Sequence, residues 1–267
     1  MINFKNNLLA EKFLDDICKS YEIGEKRNLI KDSKKLLQIS KIKFTFSHKQ
    51  PKLNNSPTII ISNHYKRPLY ERKSLLTTVD SMITSAIITA CLSKITQRKT
   101  SWVIKDNLVK NILFYNFKAR LVQMAVIQNY DSVGVSTYPF SRKNKWLERL
   151  KSGHNIALYP EGVISTKLRQ PQKGFATILS FLKENNIKVK ILPVGIYSED
   201  GIFKVNFGKD FYPVNLKYAE QEAMIEIAQN LPYNLRGVYS GLSSKEPAKF
   251  PARLQLEGDQ IPVLVEP

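Results

Sequence analysis

Apolar positions along this chain follow two rhythms that alternate. Leu9, Phe13, Ile17 and Tyr21 recur every four residues, which predicts an amphipathic helix over 3–21. Leu29, Leu36 and Leu37 mark a second helix over 25–41. Beyond a polar, Pro-containing connection at 50–56, short apolar runs take over and alternate with helical segments. The runs 57–62, 101–104, 122–128, 156–159 and 189–196 are predicted strands, and 203–207 is predicted to add an edge strand. Between them the periodicity predicts helices over 77–93, 109–117, 143–152, 175–185 and 217–229. Gly153 stands where the 143–152 helix should stop. Strands alternating with helices of about ten residues predict an α/β fold. Its central sheet should be mostly parallel and flanked by helices, with a small N-terminal helical cap. The expected organisation is a cap over 1–50, the α/β domain over 51–240 and an extended tail over 241–267.

Two of these strands end in chemistry. Pro57-Thr-Ile-Ile-Ile-Ser62 delivers Asn63-His64 at its end. Asn155-Ile-Ala-Leu-Tyr159 is stopped by Pro160, and a carboxylate, Glu161, and a glycine, Gly162, follow. Ligands of open α/β sheets sit just outside the carboxyl ends of strands. An imidazole at one strand end and a carboxylate at another therefore mark a candidate catalytic crevice. Gly162 allows the backbone to approach a ligand closely. His48 and His154 lack such a setting and read as structural.

These blocks carry a resemblance. Ser62-Asn63-His64 resembles the first motif of the PlsC-like glycerolipid acyltransferases, the lysophosphatidic-acid acyltransferase type. Tyr159-Pro160-Glu161-Gly162-Val-Ile-Ser165 resembles the third, usually Phe-Pro-Glu-Gly-Thr-Arg-Ser. Lys173-Gly174-Phe175 resembles the Lys-Gly that follows it, and Ile191-Leu-Pro193-Val-Gly-Ile196 resembles the strand of the fourth. The match covers about 55–210. It implies an acyl group passed from a thioester to a hydroxyl, with His64 as general base. Histidine suits that task because it titrates near neutrality. The resemblance places Asn63, Glu161, Gly162 and Lys173 at the substrate.

The chain departs from that pattern in three places. The carboxylate expected five residues after the histidine is replaced by Leu69. An insertion after Tyr65 would bring Asp80 to that role, and Glu71 is the other carboxylate near in sequence. The third-motif arginine is replaced by Ile164, and Met124 to Asn129, compared with the second motif, holds no arginine. A bidentate grip on phosphate is what arginine provides best. Lys105, Arg142, Lys167 and Arg169 are the candidate substitutes, with Lys105 the leading one.

Composition narrows the partners. The 267 residues carry 41 Lys or Arg against 23 Asp or Glu, a net charge of +18. Such an excess calls for an anionic partner. Between Ser81 and Tyr130 there are seven basic residues and one acid, Asp106. An anionic membrane surface, or an acidic carrier protein delivering the acyl group, fits this balance. No stacking platform or recognition motif accompanies the charge, so nucleic acid is not the expected partner. Two distant cysteines and three histidines offer no metal-ligand spacing. No cofactor is implied, because the thioester carries the activation. The segment Leu75 to Leu92 contains Asp80 and is short for a membrane span. The N-terminus lacks the apolar core of a secretory signal, which points to a cytoplasmic protein peripheral at the membrane.

The function expected is thus an O-acyltransferase using acyl-CoA or acyl carrier protein and a lipid acceptor. The acceptor would be a lysophospholipid, a glycerol phosphate or another lipid hydroxyl. The departures at Leu69 and Ile164 leave a catalytically weak or inactive lipid-binding relative as the alternative. A basic nucleic-acid binder, resting on charge alone, stands behind it.

Overall fold

The computed structural model describes residues 4–46, 51, 53, 56–66, 77–105, 114–135 and 143–241. The side chains of 4–7, 77–81, 105, 114–120 and 123 are outside the description. Glu71, His48, Arg142 and residues 242–267 of the expected tail lie outside the described residues altogether.

The first two helices are α1 (Phe4–Glu22) and α2 (Leu29–Ile39). Asn28 caps α2, its side-chain oxygen accepting from the Lys31 N–H. Of the periodic stripe, Phe13, Ile17, Leu36 and Leu37 are in the core, Tyr21 and Leu29 are half-buried, and Leu9 is exposed. Arg27 locks the pair together. Its guanidinium meets Asp32 at 2.7 and 2.9 Å and the Ser20 hydroxyl at 2.9 Å.

A short strand, β1 (Phe44–Phe46), follows, and then β2 (Thr58–Ser62). The remaining strands are β3 (Thr100–Lys105), β4 (Val133–Val135), β5 (Asn155–Leu158), β6 (Lys190–Glu199) and β7 (Ile202–Phe207). Among the described residues they form one seven-stranded sheet in the order β1-β7-β6-β2-β5-β3-β4. The pairs β6–β2, β2–β5, β5–β3 and β3–β4 are parallel, whereas β7 runs antiparallel to β6. The sheet is thus mostly parallel, in an α/β fold.

Helices cover both faces. One layer holds α1, α2, α3 (Thr77–Ile95) and α4 (Phe114–Asn129). The other holds α5 (Lys143–Lys151), α6 (Phe175–Glu184) and α7 (Ala219–Gln229). The alternation of β2 shows the division, with Ile60 in the first layer and Ile59 and Ile61 in the second. Each of these isoleucines is fully buried and contributes about 1.5–3 kcal/mol relative to exposure. Among the described residues, no helix is long and apolar enough to cross a membrane.

Two expectations need correcting. The run 122–128 is not a strand but part of α4. Val122, Ala125 and Asn129 are buried while Met124 and Gln128 face out, a spacing of three and four that suits a helix. The strand of this region is β4, after a turn in which Asp131 has φ 56°. The missing arginine inferred from Met124 to Asn129 therefore loses its basis, since that segment does not end a strand. Ile202 to Phe207 is a strand, but β1 pairs with it and takes the edge. Of the predicted helix 109–117, residues 114–117 open α4 and 109–113 lie outside the described residues.

Candidate active site

The carboxyl ends of β2 and β5 lie side by side, because Ile61 and Leu158 are parallel partners in adjacent strands. The residues following each strand therefore meet at one edge. Asn63 is buried, and its amide is engaged at both ends by Ile196 of β6. Its Nδ2 donates to the Ile196 carbonyl at 2.8 Å, and its Oδ1 accepts from the Ile196 N–H at 2.8 Å. Asn63 thus clamps the end of β2 to β6 and fixes where the chain leaves the sheet.

His64 comes next and is half-buried. Its backbone is held on two sides. The His64 N–H donates to Glu161 Oε1 at 2.9 Å, and the His64 carbonyl accepts from the Ser165 N–H at 2.9 Å. The Lys66 N–H donates to the Ser165 carbonyl at 2.7 Å, so 64–66 and Ser165 form a short ladder beyond the sheet. The imidazole lies flat on the ring of Tyr159, with centroids 4.1 Å apart and planes 4° from parallel.

Glu161 is 1% exposed. Its second oxygen accepts from the Arg169 N–H at 2.8 Å, so one carboxylate ties the His64 segment to the loop that follows β5. Burial pushes its carboxyl up to about 7, although both backbone bonds and the nearby Arg169 pull the other way. Burial and the neighbouring Glu161 push the Tyr239 phenol up to about 12. Gly162 has φ 64°, and a Cβ there would stand 2.7 Å from Gln172 Cγ. The turn is closed by Gly162 N–H to the Tyr159 carbonyl at 3.0 Å and by Gln172 N–H to the Pro160 carbonyl at 2.8 Å.

The structure brings together Asn63, His64, Glu161 and Gly162. Lys173 is exposed at the turn before α6, where its neighbour Gln172 touches the Gly162 turn. The backbones of Asp80 and Lys105 belong to the first turn of α3 and the end of β3, while their side chains lie outside the described residues. Of the candidate substitutes for the arginine that Ile164 replaces, Arg169 joins this loop, its Nε donating to Ser165 Oγ at 3.2 Å. Lys167 is exposed nearby, its N–H donating to the same Oγ at 3.3 Å. His154 has a structural setting. It is buried, with Nδ1 2.7 Å from Ser101 Oγ, and burial lowers its pKa. Among the described residues no group of His, Cys, Asp or Glu has the arrangement of a metal site.

Sequence reasoning passed over Tyr159 as a site residue. Its phenol lies 2.8 Å from Ser85 Oγ and 3.1 Å from Thr84 Oγ1, both on α3. Its ring also meets Trp102, with centroids 5.0 Å apart. The available signal was a tyrosine, with its polar tip, at the buried end of an apolar strand.

No family model and no curated protein matches this chain. Among solved structures, the 1-acyl-sn-glycerophosphate (LPA) acyltransferase PlsC from Thermotoga maritima is similar over 81% of this chain and 92% of that one. The TM-score is 0.45 and the sequence identity 16%.

Proposed function

We propose that the protein is an O-acyltransferase that moves a fatty acyl group from a thioester to a lipid hydroxyl, with His64 as general base. One observation carries this reading. The Asn63-His64 and Tyr159-Pro160-Glu161-Gly162 blocks, 97 residues apart between His64 and Glu161, are joined by the bond from the His64 N–H to the Glu161 carboxylate. The base removes the acceptor's proton as the acceptor oxygen attacks the thioester carbonyl; the C–S bond then breaks, and the departing sulfur takes that proton from the imidazolium and leaves as the thiol. The donor in this reading is acyl-CoA or acyl carrier protein. The acceptor is a lysophospholipid, a glycerol phosphate or another lipid hydroxyl, with Lys105, Lys173 and Arg169 as candidates for its anionic group. The net charge of +18 supports work at an anionic membrane surface by a cytoplasmic, peripheral protein.

A base of this kind works best when a carboxylate holds its tautomer and stabilises the imidazolium. Asp80 is the proposed partner. Thr84, one helical turn further along α3, bonds the phenol of the residue stacked on His64. This ties the stretch of α3 just after Asp80 to the ring stacked on His64. Asp80→Asn should accordingly lower kcat by about tenfold or more, whereas Glu71→Gln should leave it nearly unchanged. Steady-state kinetics of the two variants checks this. The reverse ranking would assign the partner role to Glu71, and two mild effects would leave His64 without a carboxylate partner.

A further inference from the structure

We infer that Tyr159 is a positioning residue for His64, holding the plane of the imidazole and tying that plane to α3. The inference deepens the acyl-transfer reading and rests on it for the effect on turnover. A histidine ring turns about its Cβ–Cγ bond in a broad, shallow well. A base must nevertheless aim one lone pair at the proton it removes. The face-to-face contact at 4.1 Å and 4° restricts that rotation, because any large turn would drive an imidazole edge into the phenol ring.

The platform is itself held. The Tyr159 hydroxyl is 2.8 Å from Ser85 Oγ and 3.1 Å from Thr84 Oγ1. On the inner side stands Trp102, tilted 31° to Tyr159, and its indole N–H donates to Thr89 Oγ1 at 3.0 Å. All three hydroxyls belong to α3. Two aromatic rings from β3 and the end of β5 are thus fastened by their polar tips to one helix. Asp80 lies on the same helix, four residues before Thr84, a spacing that shares one face. The orientation of the base and the placement of its proposed partner carboxylate therefore depend on the same stretch of α3. A phenylalanine would provide the ring but not the fastening.

The test separates ring from hydroxyl and structure from turnover. In the wild-type protein, the His64 ring protons should resonate upfield, shifted by the ring current of Tyr159. Tyr159→Leu should abolish that shift. Tyr159→Phe should retain it, and so should the double variant Thr84→Val with Ser85→Ala, but with broadened lines because the platform is loose. In turnover, Tyr159→Leu should lower kcat by about tenfold or more, since a misplaced catalytic group can cost up to about a hundredfold. Tyr159→Phe and the double variant should give smaller, similar losses, with KM within about twofold of wild type throughout. Wild-type His64 protons without an upfield shift would overturn the inference whatever the activity. Loss of the shift in Tyr159→Leu with kcat unchanged would overturn the positioning role while leaving acyl transfer in place. A wild-type protein with the shift but without any acyl transfer would sink the functional reading and with it the effect on turnover, leaving only the ring clamp.

Discussion

Replacing His64 by alanine should reduce acyl transfer by about a hundredfold or more, the usual worth of a positioned acid–base group. The fold should survive, because two backbone bonds that hold this segment are kept. The His64 N–H and carbonyl go to Glu161 and Ser165, and alanine has both groups. The imidazole contributes the flat contact with Tyr159, which would leave a small gap at the sheet edge. Far-UV circular dichroism and a thermal melt should therefore look near normal while turnover is lost. A folded His64→Ala protein with near-normal kcat would remove His64 from the mechanism.

Glu161→Ala should act in the opposite way, on the structure first. Two N–H groups, of half-buried His64 and of Arg169, would lose their acceptor; a donor orphaned out of reach of water costs about 1–3 kcal/mol, and one that water reaches costs less. The loss should depend on pH. The carboxyl of Glu161 is raised from 4.5 to about 7 in the folded protein, so protons bind more tightly there than in the unfolded chain. Its contribution to stability is complete below the unfolded value and is lost as pH rises through about 7. The difference in unfolding free energy between wild type and Glu161→Ala should therefore shrink between pH 5 and pH 8. Between those two pH values the change is on the order of 2–3 kcal/mol. Denaturant titrations at the two pH values measure it directly. A difference that stays constant or widens towards pH 8 would show that burial does not control this carboxyl.

The parts of the fold that could be read from the chain are those where pattern and punctuation agree. The run before Asn63 and the run stopped by Pro160 are apolar strands with clear ends, and both appear as β2 and β5. Segment 122–128 misled because its apolar residues include the β-branched Val122, Val126 and Ile127, which suit a strand, while tertiary packing chose a helix. The strands β1 and β4 are three residues long, too short for an alternation to declare itself. The site divides along the same line. Asn63-His64 and Glu161-Gly162 are local motifs and could be found one at a time. The contact of Tyr159 with Ser85 and Thr84 joins residues 74 and 75 apart, and nothing local encodes it. The two-ended engagement of Asn63 by Ile196, 133 residues away, is of the same kind.

The most direct test of the central claim is to incubate the purified protein with a labelled acyl thioester, as acyl-CoA and as acyl carrier protein, and to follow the label with and without a lysophospholipid or glycerol phosphate acceptor. The reading requires label to appear in the acylated lipid, with one free thiol released for each acyl group moved, and both signals to vanish in His64→Ala. Thioester left intact by the wild-type protein with every acceptor, or consumed equally by wild type and His64→Ala, would contradict it.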